Sequence, residues 1–177
     1  VQTCALPISI RKHTPKPAEH SQDEVLAALA KVLQTYNSVG ITSIFERATD
    51  PTNLNLFREL QKRGQLTTRV TGTFRFSAKT AEGVEKYVAS LGLKPREGDD
   101  WIKAGPLKIT IDGGIHWGTT RLSEPYGPKR IAFYRSTDPE YRGEQYFSAA
   151  EIQTIFATAE KLGWQMSCHV TGDEGTR

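Results

Sequence analysis

The sequence predicts an α/β protein in which parallel strands alternate with crossover helices. Three observations carry that expectation. Strand-like runs rich in Ile, Val, Thr and Phe alternate with well-capped helical segments. The composition, 177 residues with 37% hydrophobic and 24% charged, suits one globular unit. No apolar run approaches the ~20 residues that a membrane helix needs.

The elements follow in order. Ser21-Gln22-Asp23-Glu24 is a capping box, with Ser at the N-cap and Glu three residues on. Val25, Leu26, Leu29, Val32, Leu33 and Tyr36 form one face of the ensuing helix, and Gly40 closes it. Ile41 to Ala48 reads as a strand. Asp50-Pro51 opens a second helix, with Pro in the first turn, where its missing N–H costs nothing. Leu54, Phe57 and Leu60 are its apolar stripe and Gly64 its end. Thr67 to Phe76 is a second strand. Thr80 starts a third helix bearing Val84, Tyr87, Val88 and Leu91, with Gly92 after it. Pro106 to Asp112 is a third strand. Ser148-Ala149-Ala150-Glu151 is a second capping box, and Ile152, Ile155, Phe156, Ala159 and Leu162 line its helix up to Gly163. Gln165 to Thr171 is the last strand.

Such alternation implies right-handed crossovers, in an open doubly wound sheet or a TIM-type barrel. No G-x-G-x-x-G or G-x-x-x-x-G-K turn follows a strand, which weakens a nucleotide-binding reading. A whole barrel takes about 250 residues, so four strands fit half of one, with two unpaired edges.

Charge and cysteines narrow the classes further. The 23 Lys and Arg against 20 Asp and Glu give a net charge of +3, spread along the chain, so no nucleic-acid footprint stands out. Cys4 and Cys168 make neither a disulfide framework nor a zinc cluster. Cys168 is compatible with a reducing, cytoplasmic compartment, and a homo-oligomer is left open by the sequence. The start, Val1 to Ile8, has no signal-peptide pattern and resembles a translated sequencing adapter. Residues 1–9 are therefore set apart as an artefact or an unstructured arm, and residues 10–177 are taken as the domain. The end, Gly172 to Arg177, stops just after a predicted strand, so the chain reads as an internal slice of a longer gene.

Two strands carry polar faces. Strands buried on both sides usually read as continuous Val, Ile and Leu. In the third strand Leu107, Ile109 and Ile111 share one face, and Lys108, Thr110 and Asp112 the other. A buried lysine is expensive unless paired or chemically altered; an edge strand with a wet face is the plainer alternative. In the last strand Gln165, Ser167, His169 and Thr171 oppose Met166, Cys168 and Val170. Cys168 and His169 thus point apart and form no dyad, and His169 alone reads as a hydrogen-bonded core residue or a ligand. Both strands run into glycine and acid, Asp112-Gly113-Gly114 and Gly172-Asp173, at the carboxyl ends where barrel active sites lie.

From about Ser21 to Asp173 the chain resembles the amidohydrolase superfamily, and most of all its N-substituted formamide deformylase-like branch, amidohydrolase family 3. Lys108-Ile109-Thr110-Ile111-Asp112-Gly113 and His169-Val170-Thr171-Gly172-Asp173 carry the resemblance, with Val39-Gly40-Ile41-Thr42-Ser43 before them. It implies part of a (β/α)8 barrel, about strands 2 to 5. It also implies a metal-dependent hydrolase that acts on carbon–nitrogen bonds of non-peptide amides through a metal-activated hydroxide. By this resemblance Lys108 is carbamylated and bridges two divalent metals, expected to be zinc, and His169 binds one of them; both count as catalytic. An ammonium has no acceptor and ligates no cation, whereas two dications favour the neutral amine, and CO2 would convert it to an anionic carbamate. Thr110, Asp112 and Asp173 are candidate supports for the ligands.

The interval from Lys108 to His169 exceeds the ~30 residues of a plain barrel unit. The excess, Ile115 to Phe147, is aromatic-rich and follows the lysine strand, as a lid and pocket wall would. Trp117 and Tyr126 would stack on an apolar substituent of a small-molecule amide, Arg121 would meet an anionic group, and His116 would hydrogen-bond substrate. Alternatively these aromatics hold the loop down. The family's H-x-H motif is not matched by His13 and His20, and its sixth-strand His and eighth-strand Asp would lie beyond Arg177. The chain alone is therefore expected to be inactive. Two competing readings are a Schiff-base lysine lyase built on Lys108 and a non-catalytic truncated fragment.

Overall fold

The computed structural model describes residues 19–134 and 136–177. The expectations placed on residues 1–9, Cys4 and His13 lie outside the described residues. Helix α1 (Gln22–Ser38) starts in the expected capping box, with Ser21 N donating to Glu24 Oε2 at 2.8 Å. Strand β1 (Ser43–Thr49) leads to α2 (Pro51–Lys62), whose N-cap Asp50 accepts from Asn53 N at 2.7 Å. Then come β2 (Arg69–Arg75), α3 (Ala81–Leu91) capped by Thr80, and β3 (Ile102–Thr110). A short α4 (Pro128–Phe133) lies in the long connection. Helix α5 (Ala149–Lys161), opened by the Ser148 capping box, and β4 (Met166–His169) complete the series. Among the described residues no helix is long and apolar enough to cross a membrane.

The four strands are all parallel, in the order β1-β2-β3-β4. A doubly wound sheet reverses direction at a switch point. This sheet does not reverse, so right-handed crossovers carry every helix to the same side. The core lies there: Leu33, Leu54, Leu60, Phe74, Val84, Leu107, Ile109 and Ile155 are fully buried between helices and sheet. The other side is polar and concave. The Arg47 guanidinium on β1 donates to Ser167 Oγ on β4. Three strand spacings would separate these strands by ~14 Å in a flat sheet. The sheet must curl for the two to meet, which is the curvature of a barrel wall and decides against the open sheet.

Two boundaries differ from the sequence expectation. Strand β3 begins four residues earlier than Pro106, because the Asp99 carboxylate accepts from Trp101 N and Ile102 N and launches the strand against Val70. The register slips near Gly105-Pro106, where proline's missing N–H breaks the ladder anyway. A side chain at Gly105 would lie 2.6 Å from the Gly72 carbonyl oxygen, so only glycine fits the crossing. Strand β4 ends at His169, short of Thr171, because Thr171 N is taken by the Asp112 carboxylate instead of a neighbouring strand.

Candidate metal and substrate site

Lys108 and Thr110 face the concave side, since the intervening Leu107 and Ile109 fill the core. Across the ladder Lys108 pairs with Ser167 and Thr110 with His169. Met166, Cys168 and Val170 pack on the helix side, so His169 shares the concave face with Lys108. The two are diagonal neighbours on adjacent strands, with Cα atoms ~8 Å apart from strand spacing and rise. Cys168 is half-buried and unpaired, and burial pushes its thiol pKa up, as suits a core residue.

Cations surround the lysine. Burial lowers the Lys108 pKa first, and the Arg47 and Arg75 guanidinium groups lower it further, partly offset by Glu46. Arg75 is the direct register partner of Lys108. Sequence reading missed both arginines. The signal was present: Arg69, Thr71, Thr73 and Arg75 alternate with Val70, Gly72 and Phe74, the same polar-against-apolar pattern that singled out β3.

Asp112, just past β3, is fully buried. Its Oδ1 accepts from Thr171 N at 2.9 Å, and its Oδ2 accepts from Gly172 N at 2.7 Å and Arg121 N at 3.1 Å. One carboxylate thus ties together the end of β3, the segment after His169 and the start of the long loop. It is more than a turn residue. A side chain on Gly172 would run into the Arg121 carbonyl, so glycine is needed for this approach. Asp173 makes a second tie, accepting from Ser123 N at 3.0 Å and from the Ser123 hydroxyl; these bonds hold its pKa low.

None of the loop candidates lines the cleft that Thr110 borders. Tyr126 donates to the Thr120 carbonyl at 2.8 Å and packs against Tyr134 and Tyr141, bracing the loop from within. His116 and Trp117 sit on an exposed 3-10 turn, with Trp117 79% exposed. Arg121 is half-buried, and its Nε has no partner among the described residues. The loop's return does reach the site: Gln145 bridges Asp112, and Tyr146 N donates to Ile111 O at 2.9 Å. Tyr146 and Phe147 thereby wall a cleft of about 610 Å³ that also takes in Arg75, Lys79 and Thr110.

Among the described residues no three His, Cys, Asp or Glu side chains gather into a metal-holding cluster. The donor set fits a metal centre only as a part of one. His169 offers a ring nitrogen, and Lys108 offers oxygens only after conversion to a carbamate.

Three comparisons bear on this arrangement. The chain is 25% identical over 154 residues to the exoenzymes regulatory protein AepA of Pectobacterium carotovorum subsp. carotovorum, covering 86% of this chain and 30% of that protein. It superposes with a TM-score of 0.65 on the crystal structure of a metal-dependent hydrolase from Pyrococcus horikoshii OT3, at 21% identity over 89% of this chain and 29% of that one. A metal-dependent hydrolase from Pyrococcus furiosus gives the same TM-score at 22% identity, with 88% and 30% covered. These structural likenesses establish the shared barrel fold. The chain spans less than a third of the length of each of these proteins. The amidohydrolase family model matches residues 8–177. With a match across nearly its whole length, this chain belongs to the amidohydrolase family.

Proposed function

We propose that this chain carries part of the centre of a metal-dependent hydrolase that cleaves carbon–nitrogen bonds of non-peptide amides, including formamides and cyclic amides. The observation that carries the reading is that Lys108 and His169 share the concave face at the carboxyl ends of paired strands. Family membership and the carboxyl-end location agree with it. Divalent metals, zinc in this reading, would supply an activated water and polarise the substrate carbonyl.

The chain's own residues have distinct tasks. Lys108 would hold metal through the oxygens of a carbamate, which its neutral amine would form by adding CO2 and releasing one proton. His169 would hold metal through a ring nitrogen. Asp112 positions the segment that follows His169, and with Asp173 it anchors the loop. Thr110 sits beside both ligands and lines the cleft. The remaining ligands come from segments outside these residues, so the chain alone turns over no amide. The test is a side-by-side amidase assay of the chain and of a whole family protein carrying it. Turnover by the whole protein, its loss in Lys108→Ala and His169→Ala, and silence of the chain alone are expected. Robust turnover by the chain alone overturns the assignment.

Flanking cations also suit a Schiff-base lysine, which needs a neutral amine and no metal. Borohydride trapping with a carbonyl compound separates the two. A covalent adduct on Lys108 favours the lyase; no adduct, with metal bound, favours the hydrolase.

A further inference from the structure

The long loop carries its most exposed apolar side chains at one tip. Trp117, Phe133 and Ile115 are 79%, 74% and 62% exposed. Ile115 and Trp117 lie on the 3-10 turn, and Phe133 ends α4. Tyr134 joins the two pieces. Its hydroxyl donates to Ile115 O at 3.0 Å, and its ring meets Phe133 edge-on at 5.0 Å. Gly118 follows the turn in a left-handed conformation, where a side chain would run into the Tyr134 ring. Tyr126 backs Tyr134 edge-on at 5.8 Å. The apolar residues are thus held out to solvent on a braced support.

The charge on α4 has one sign. Lys129 and Arg130 precede Phe133 by four and three residues, so the three share a face, while Ile131 is buried. Neither cation has a carboxylate partner among the described residues. Of the acids that follow, Asp138 accepts from Glu140 N, and Glu140 pairs with Arg142. Tryptophan and phenylalanine beside lysine and arginine is the composition that seats a protein at a lipid–water interface. The two aromatics expose roughly 300 Å2, short of the ~800 Å2 per partner that a standard protein–protein contact buries. Membrane binding instead scales with whatever apolar area enters, plus the attraction of basic residues to anionic lipid.

We propose that this tip, formed by Ile115, Trp117, Lys129, Arg130 and Phe133, docks the protein on an anionic phospholipid surface. The aromatics enter the headgroup region and the two cations meet lipid phosphates. Such docking needs no membrane-spanning helix and does not depend on the hydrolase reading.

The test uses a whole family protein carrying this chain, with vesicles of phosphatidylcholine alone or mixed equally with phosphatidylglycerol. Co-sedimentation is expected to show at least about tenfold tighter binding to the mixed vesicles, a factor that two cations near the surface support. Added salt erodes the difference. Lys129→Gln with Arg130→Gln removes it. Trp117→Ala and Phe133→Ala each weaken binding to the mixed vesicles about tenfold. Brominated acyl chains quench the parent's tryptophan fluorescence and quench Trp117→Phe less, a readout that keeps an aromatic ring in place. No binding to either vesicle overturns the proposal, as does equal binding to both, or binding that survives all these substitutions. A tip-dependent contact with soluble polyglutamate or with a second copy of the protein, in place of vesicles, assigns the surface to a protein partner and also overturns it. Amidase activity enters none of these readouts, so the loss of either reading leaves the other standing.

Discussion

Replacing Asp112 by alanine removes the acceptor shared by three backbone donors, the N–H groups of Arg121, Thr171 and Gly172. Their burial sets the cost of each loss. Gly172 is buried, Arg121 half-buried and Thr171 exposed, so water rescues the last and only partly the second. A buried donor left unpaired costs about 1–3 kcal/mol. Graded in this way, Asp112→Ala costs about 3 kcal/mol, a large share of the 5–15 kcal/mol typical of a domain. For a chain of this size that corresponds to a fall of roughly 6–12 °C in Tm. Asp112→Asn keeps one carbonyl acceptor and loses about half as much. Urea unfolding followed by tryptophan fluorescence measures both variants, and hydrogen exchange at Gly172 locates the effect. An Asp112→Ala protein within 1 kcal/mol of the parent, with unchanged Gly172 exchange, refutes the clamp.

Phe74 is fully buried and meets Trp164 edge-on at 6.0 Å, so Phe74→Ala is expected to lose about 3–5 kcal/mol in the same unfolding assay. Ser148→Ala breaks the capping box of α5 and is expected to lose about 1 kcal/mol, recovered mostly by Ser148→Asp. Burial, with Glu144 beside it, pushes the Tyr141 phenol up to about 12. A raised folded-state value means that this phenol's contribution is intact below pH 10 and is lost as pH rises through about 12. Burial also raises Tyr87 and Tyr126, and absorbance titration at alkaline pH is expected to lose its latest-titrating phenol in Tyr141→Phe.

Local signals were most legible where chemistry is local. Both capping boxes, the proline-led start of α2 and the Thr80 cap appear where the sequence placed them. The two-faced character of β3 and β4 was also legible, because alternation is a property of the strand alone. The choice between open sheet and barrel was not legible in the alternation alone but came from the family resemblance, and strand order with Arg47 reaching Ser167, a contact between residues far apart in the chain, bears the barrel out. The early start of β3 was hidden because Lys103, Ala104 and Gly105 have little strand propensity and owe their conformation to β2 and Asp99. Asp112 read as a turn residue with a possible supporting role, and its three donors could not be seen because two of them come from Thr171 and Gly172 across the sheet. The loop's aromatics were legible as a group. Which of them brace the loop, as Tyr126 does, depends on how it folds back on itself.

The central claim is that Lys108 and His169 form one metal-holding pair, and 13C NMR of a whole family protein carrying this chain, in 13C-bicarbonate with and without zinc, tests it most directly. The account predicts a lysine carbamate resonance that grows with zinc, disappears in Lys108→Ala and weakens in His169→Ala. A folded whole protein that shows no such resonance at any zinc concentration, or shows it equally in Lys108→Ala, contradicts the account.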